Sequence, residues 1–200
     1  MKRVVQTLRF IRVGAVAIVA GALAMGAGGE KRSMDFGQSH LIVHVGKTGV
    51  LGLFGHQPVI SAPIVRGEVG TSNPTFVWFD VDAAGMKVVS GEESDSNKAQ
   101  VQETMLGPSV LDVAHYPQIH FASDSIEIIG EGHWLVHGQL TLHGQTHPIS
   151  LETILEKGHY RGTATIQQTT FGITPTRVAG GTIRVKDEVQ IAYDIVLAGQ

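Results

Sequence analysis

From Gln38 onward the apolar residues of this chain fall on every second position, and that alternation limits the fold more than any other feature. Leu41, Val43 and Val45 alternate with Ile42 and His44, and Val77, Phe79 and Val81 alternate with Trp78 and Asp80. Ile119 and Phe121 flank His120, and Leu140 and Leu142 flank Thr141. Ile149, Leu151 and Thr153 alternate with Ser150 and Glu152; Val189, Ile191, Tyr193, Ile195 and Leu197 alternate with Gln190, Ala192 and Asp194. A strand turns successive side chains to opposite faces, so a period of two marks sheets with one apolar face and one wet face. Glycine-containing polar turns separate the segments: EVGTSNP, IIGEGH, LHGQTHP and EKGHY.

The arms on either side of HGQTHP read as a hairpin, with Pro148 starting the second arm, where a missing N–H does little harm. Ser94 to Leu111 breaks the alternation. Ala99, Gln102, Met105 and Leu106 suit one helical face, Pro108 stops the helix, and Ser96 or Asn97 is the expected cap. The expected fold is therefore all-β: about eight strands, mostly joined up-and-down, closing into an antiparallel barrel with one short helical insertion. A β-sandwich is the competing architecture. An eight-stranded barrel is either filled by its own side chains or holds one small ligand, and periodicity leaves both open.

The chain opens with Lys2, Arg3, Arg9 and Arg12, followed by an uncharged stretch from Val13 to Gly29 that contains Ala22-Leu23-Ala24. A positive start, an apolar middle and small residues at a cleavage point make a secretory signal over residues 1–24. A flexible mature N-terminus over 25–37 and a barrel domain over 38–200 follow. The alternative is an uncleaved membrane anchor, for which the uncharged stretch is at the short end of the spanning range. Both place the domain beyond the inner membrane, in the periplasm or secreted.

Chemistry is sparse. With no cysteine, disulfides, thiolate metal sites and thiol nucleophiles are excluded. A net charge of −3 without a basic run gives nucleic acid no footprint. Nucleophile elbows, phosphate loops and dinucleotide glycines are absent. The ten histidines include the pairs His40/His44, His133/His137 and His143/His147. On a strand that spacing is about 13 Å, too far for one ion, so no metal is expected. Glu92, Glu93 and Asp95 read as a solvated loop, and Asp187-Glu188 as a turn leading into the last strand. An enzyme would need a rim histidine, such as His56 or His115, bonded to a second polar group in a pocket. No such pair is visible, and no enzyme activity is expected.

Three stretches, MLGPSVLDVAHYPQIHFAS, GQLTLHGQTHPISL and TTFGI, resemble the YceI-like family of polyisoprenoid-binding proteins. The resemblance rests on Tyr116-Pro117-Gln118-Ile119-His120-Phe121, on Gly138 to Thr146, and on Phe171-Gly172-Ile173, in that order. SHLIVHVGKTGVLGLFGH also looks like the family's first strand and the turn after it. The match runs over most of Gln38 to Leu197. It departs from the family form at SMDFGQ, before His40, and over LFGHQPVISAPIVRGEV, as a divergent branch would.

The resemblance implies an exported lipocalin-like barrel with an isoprenoid or quinone-like lipid along its axis, no catalytic residues and no required cofactor. By position, the ligand-binding wall would take Leu41, Val43 and Val45, then Val77 and Phe79, then Ile119 and Phe121. Leu140, Leu142, Ile149, Leu151, Phe171, Ile191 and Tyr193 complete it. The implied partner is the apolar lipid, with no nucleic acid; transient contact with a membrane and a homodimer are compatible with it, and the sequence leaves the oligomeric state open. The alternative is a filled-core periplasmic interaction or stress-response module that works through its surface without a ligand.

Overall fold

Alternating segments become strands when their apolar faces can share one interior, and here they do so in a single curled antiparallel sheet. The structure, a computed structural model, describes residues 30–48, 58–72, 75–90, 95–178 and 183–199. The chain runs through β1 (Lys31–Ser33), β2 (His40–Thr48), β3 (Val59–Ser61), β4 (Ile64–Gly70), β5 (Phe76–Asp82) and β6 (Lys87–Ser90). Helix α1 (Asp95–Leu106) then leads to β7 (Gln118–Gly130), β8 (His133–Leu142), β9 (Gln145–Glu156) and β10 (His159–Gln167). A 3-10 turn (Gln168–Phe171), β11 (Arg177–Val178) and β12 (Ile183–Val196) finish it. The strand order is β1-β4-β5-β7-β8-β9-β10-β12-β2-β3-β6, with β11 against β12.

The sheet curls back on itself through two bent arms. Only Ala62-Pro63 separates β3 from β4, and only residues 83–86 separate β5 from β6. The pairs β3·β6 and β4·β5 are both antiparallel, so the two arms form one bent hairpin. One half of this hairpin pairs with β2 and the other half with β7. A second tie comes from the N-terminal segment. Met34 N donates to Gly67 O at 3.1 Å, Asp35 N to Val196 O at 2.8 Å, and Ala198 N to Ser33 O at 2.9 Å. The described residues thus hold twelve strand segments rather than about eight. Counted as bent arms, and without the short β1 and β11, they make eight staves of a lipocalin-like barrel.

Three local expectations change. Lys31–Ser33 is already a strand and Met34 is buried, so the ordered fold starts earlier than residue 38. The β8–β9 turn is tighter than HGQTHP: it is His143 (φ 50) and Gly144 (φ 72), and Thr146 to Pro148 belong to β9. Two positive φ values make a turn whose twist matches the strands, and Lys157 (φ 51) with Gly158 (φ 85) repeats it between β9 and β10. Asp187 and Glu188 lie within β12, in a bulge between Val185 and Val189, rather than in a turn before it. Residues 1–29, which hold the expected signal, lie outside the described residues. Among the described residues no helix is long and apolar enough to cross a membrane.

Helix α1 stops before Gly107-Pro108, as a proline lacking its N–H requires. Its start at Asp95 puts Ser96 and Asn97 inside the first turn instead of at the cap. Its attachment is specific: Val88 N donates to Gln102 Oε1 at 2.9 Å, and Gln102 Nε2 donates to Met86 O at 2.7 Å. Among the described residues β6 ends the strand path, with no further strand on its outer side. The glutamine amide supplies the pairing there, and Met105 is buried beneath it.

Candidate functional site

The inward faces of the arms enclose a cavity of about 1670 Å³. Pockets for drug-sized molecules hold roughly 300–1,000 Å³, so this interior is large, and it is not filled by the barrel's own side chains. From β2 the wall takes Leu41, Val43 and Val45; from β5, Val77 and Phe79; from β7, Ile119 and Phe121. Leu140 and Leu142 of β8, Ile149 and Leu151 of β9, and Ile191 and Tyr193 of β12 continue it. The pleat explains why these positions share one surface. Phe171 is the exception among the residues expected there. It is buried in the 3-10 turn, where the period of two does not operate, and it does not reach the cavity wall.

The wall also has residues that alternation did not single out. β10 adds Tyr160, Ala164 and Ile166, the bent arm adds Ile60 and Ala62, and α1 adds Val101 and Met105. β10 was faint because its inward row reads Tyr160, Gly162, Ala164, Ile166, with two residues of little or no side chain. Gly162 has a steric reason: a Cβ there would run into the Tyr193 hydroxyl and the Glu152 carbonyl. Thr153 Oγ1 lies 2.8 Å from the Tyr193 hydroxyl, which donates to Glu152 O at 3.1 Å. Burial pushes the Tyr193 pKa up, so the phenol stays neutral inside the barrel.

The two ends of the cavity differ. At one end stand Lys47, Pro58, the helix residues and the segment from Ile173 to Arg177. At the other stand Val69 to Thr71, Thr75, Ile128, Trp134, Tyr160 and Tyr193. There the Trp134 and Tyr160 rings are 5.8 Å apart, and Ile128, 79% exposed, sits on the rim. The three motif stretches meet near the first end. The Tyr116 ring lies 4.7 Å from His143, whose Nδ1 donates to Phe171 O at 3.2 Å, while His147 meets the Phe171 ring edge-on at 5.2 Å. These residues tie a turn to the strands beside it.

Among the described residues no histidine lines the cavity. Asp80, buried, accepts from His120 Nδ1 at 2.7 Å and from Arg66 Nη2 at 2.8 Å. Asp194 accepts from His159 Nδ1 at 2.6 Å and Arg161 Nε at 2.9 Å. Burial pushes the Asp194 carboxyl up, but the bonds from Arg161 and His159 outweigh it and hold the group below its ordinary value. His115 pairs with Asp112 at 2.8 Å, exposed and off the cavity; His56 lies outside the described residues. Among the described residues no three His, Cys, Asp or Glu side chains converge for a metal.

A model of the YceI-like domain matches residues 33–197. A UPF0312 protein of Yersinia pestis (strain Pestoides F) is 33% identical over 92 residues, covering 44% of this chain and 47% of the relative. Another, of Pseudomonas savastanoi pv. phaseolicola, is 35% identical over 88 residues, covering 39% of this chain and 46% of the relative. The chain spans about half the length of these curated relatives. Among solved structures, Burkholderia cenocepacia BcnA superposes with a TM-score of 0.58 at 17% identity, covering 81% of this chain and 98% of that one. A polyisoprenoid binding domain from Saccharophagus degradans, implicated in plant cell wall breakdown, gives 0.52 at 12% identity, covering 84% and 97%. At these identities the likeness is one of fold.

Proposed function

The chain belongs to the YceI-like domain family, and from that premise we propose that it is an exported carrier of a long apolar lipid, an isoprenoid or quinone-like chain, held along the barrel. The observation that carries this reading is the cavity: about 1670 Å³ walled mainly by aliphatic and aromatic side chains. Each CH₂ moved from water onto such a wall is worth roughly 0.8 kcal/mol before ordering costs. A tail of many such groups therefore holds without a reactive site. The Saccharophagus domain of the same fold is described as polyisoprenoid binding, which supports the ligand class. Export, to the periplasm or beyond, is part of the proposal and rests on the signal expected over residues 1–24. The reading involves binding and release, with no chemical step.

Native mass spectrometry of protein purified from an exporting host, followed by organic extraction, tests it. A stoichiometric apolar mass in the isoprenoid or quinone range is the expected result. A bare protein mass that stays bare after prenyl lipids are added removes the carrier reading.

A further inference from the structure

One level of the barrel wall carries a polar pair among apolar neighbours. The register sets Trp134 opposite Thr153, Thr153 opposite Gly162, Gly162 opposite Tyr193 and Tyr193 opposite Leu41, on β8, β9, β10, β12 and β2 in turn. Thr153 and Tyr193 both line the cavity. Gly162 has no side chain, so the Tyr193 ring crosses over β10. Its hydroxyl then lies 2.8 Å from Thr153 Oγ1 and 3.1 Å from Glu152 O. Thr153 is only 8% exposed, so its hydroxyl is a polar atom held away from bulk water. The protons of this cluster can be counted. A backbone carbonyl only accepts, so the one Tyr193 O–H proton goes to Glu152 O. The contact between the two hydroxyls therefore takes the Thr153 proton. Burial keeps the phenol neutral, so ionisation does not reverse that order. Thr153 Oγ1 is left with lone pairs and no proton, and among the described residues no other group bonds to it.

Resting on the carrier reading, we infer that the ligand ends in a hydroxyl group, an alcohol or a phenol, which donates its proton to Thr153 Oγ1. The tail runs from there toward the helix side along Val136, Leu140 and Leu142 of β8. From Trp134 to Leu142 that lane is roughly 27 Å long at the rise of an antiparallel strand. A ligand ending in a carbonyl or an ether brings acceptors only. It sets lone pairs against the Thr153 lone pairs, at a place where unmatched polar atoms cost more than in water. Trp134, opposite Thr153, has an indole N–H that a hydroxyl oxygen and a carbonyl oxygen accept equally, so it does not set the difference. For a quinone-like head, the site selects the hydroquinone over the quinone. The same hydroxyl fixes which way the ligand lies, which an all-apolar tunnel would leave undetermined.

The test uses the full chain and two pairs of ligands that share a carbon skeleton: heptadecan-2-ol against heptadecan-2-one, and geranylgeranylacetone against the alcohol made by reducing its carbonyl. Affinities are read calorimetrically. Each alcohol is expected to bind at least about five-fold tighter than its ketone, the worth of one neutral hydrogen bond. Thr153→Val removes the acceptor and should bring the ratio to about one while ketone binding holds, which also reports an intact barrel. Tyr193→Phe releases the Thr153 proton, so the ratio should fall because the ketone binds more tightly, a gain that a damaged fold does not produce. Thr141→Val, off the cavity wall, should keep the parental ratio. Equal binding of alcohol and ketone by the parent overturns the head inference and leaves the carrier standing. A ratio that survives both Thr153→Val and Tyr193→Phe overturns the assignment to this pair. Failure of all four ligands removes the carrier reading itself.

Discussion

Gly162 faces Tyr193 across the β10–β12 ladder, where the phenol ring comes close to the β10 backbone. Gly162→Ala puts a methyl group against the Tyr193 hydroxyl and the Glu152 carbonyl, and the ring has to move. Overpacking of this kind costs about 1–3 kcal/mol, and urea denaturation should show that loss. A stability equal to the parent's would mean the ring moves aside freely and the Thr153–Tyr193–Glu152 bonds do not hold it. At this scale the wall was readable wherever apolar residues alternate, because the pleat alone decides which way Val43 or Phe121 points. Gly162 was not readable, since a glycine has no hydropathy to register. Phe171 sits in a 3-10 turn, which does not keep the strand's period, so alternation says nothing of which way it faces.

Helix α1 was legible as an element and opaque in its role. Gln102 belonged to the face expected to pack, yet its contribution is polar: it closes hydrogen bonds with Met86 and Val88 on β6. Gln102→Ala leaves the Val88 amide without its acceptor. With each such bond worth about 0.5–1.5 kcal/mol, that amide should exchange several-fold faster by hydrogen-exchange NMR, while amides in β8 and β9 stay protected. Equal protection at Val88 would mean another group pairs the edge and the helix docks by apolar contact alone. The hairpins illustrate the opposite case. Their presence was plain from HGQTHP and EKGHY, but their width was not, because Thr146 and His147 look like loop residues until a two-residue turn places them in the ladder. The bend at Ala62-Pro63 carried no alternation signal at all, and it is what lets one arm serve two sides of the barrel.

For the molecule as a whole, the question is whether the cavity is the working part. Ala164 is small, buried and on the wall, so a larger side chain there enters the cavity instead of a neighbour. Ala164→Trp should lower lipid uptake by roughly ten-fold or more, the equivalent of about 1.4 kcal/mol of lost fit, with strand content unchanged by circular dichroism. Uptake at the parental level would place the ligand's path elsewhere. The architecture was legible at this scale as an all-β chain of about eight arms. Whether those arms enclosed a filled core or a tube was not, since inward-facing apolar residues look alike in both.

The tie between the first and last strands also sets an order of events. Met34 bridges Leu197, and the Ser39 hydroxyl bonds with the backbone of Val196 across 157 positions of chain. The β7 to β10 hairpins, by contrast, join neighbours through two-residue turns. Loop-closure entropy favours the near pairings and delays the distant one. While the chain folds, the interior is therefore a trough, open along one side, and it becomes a tube only when β2 and the Met34 segment meet β12. A long guest present at that moment can lie in the trough and be enclosed lengthwise. Once these segments have met, that lengthwise route is closed to the same guest.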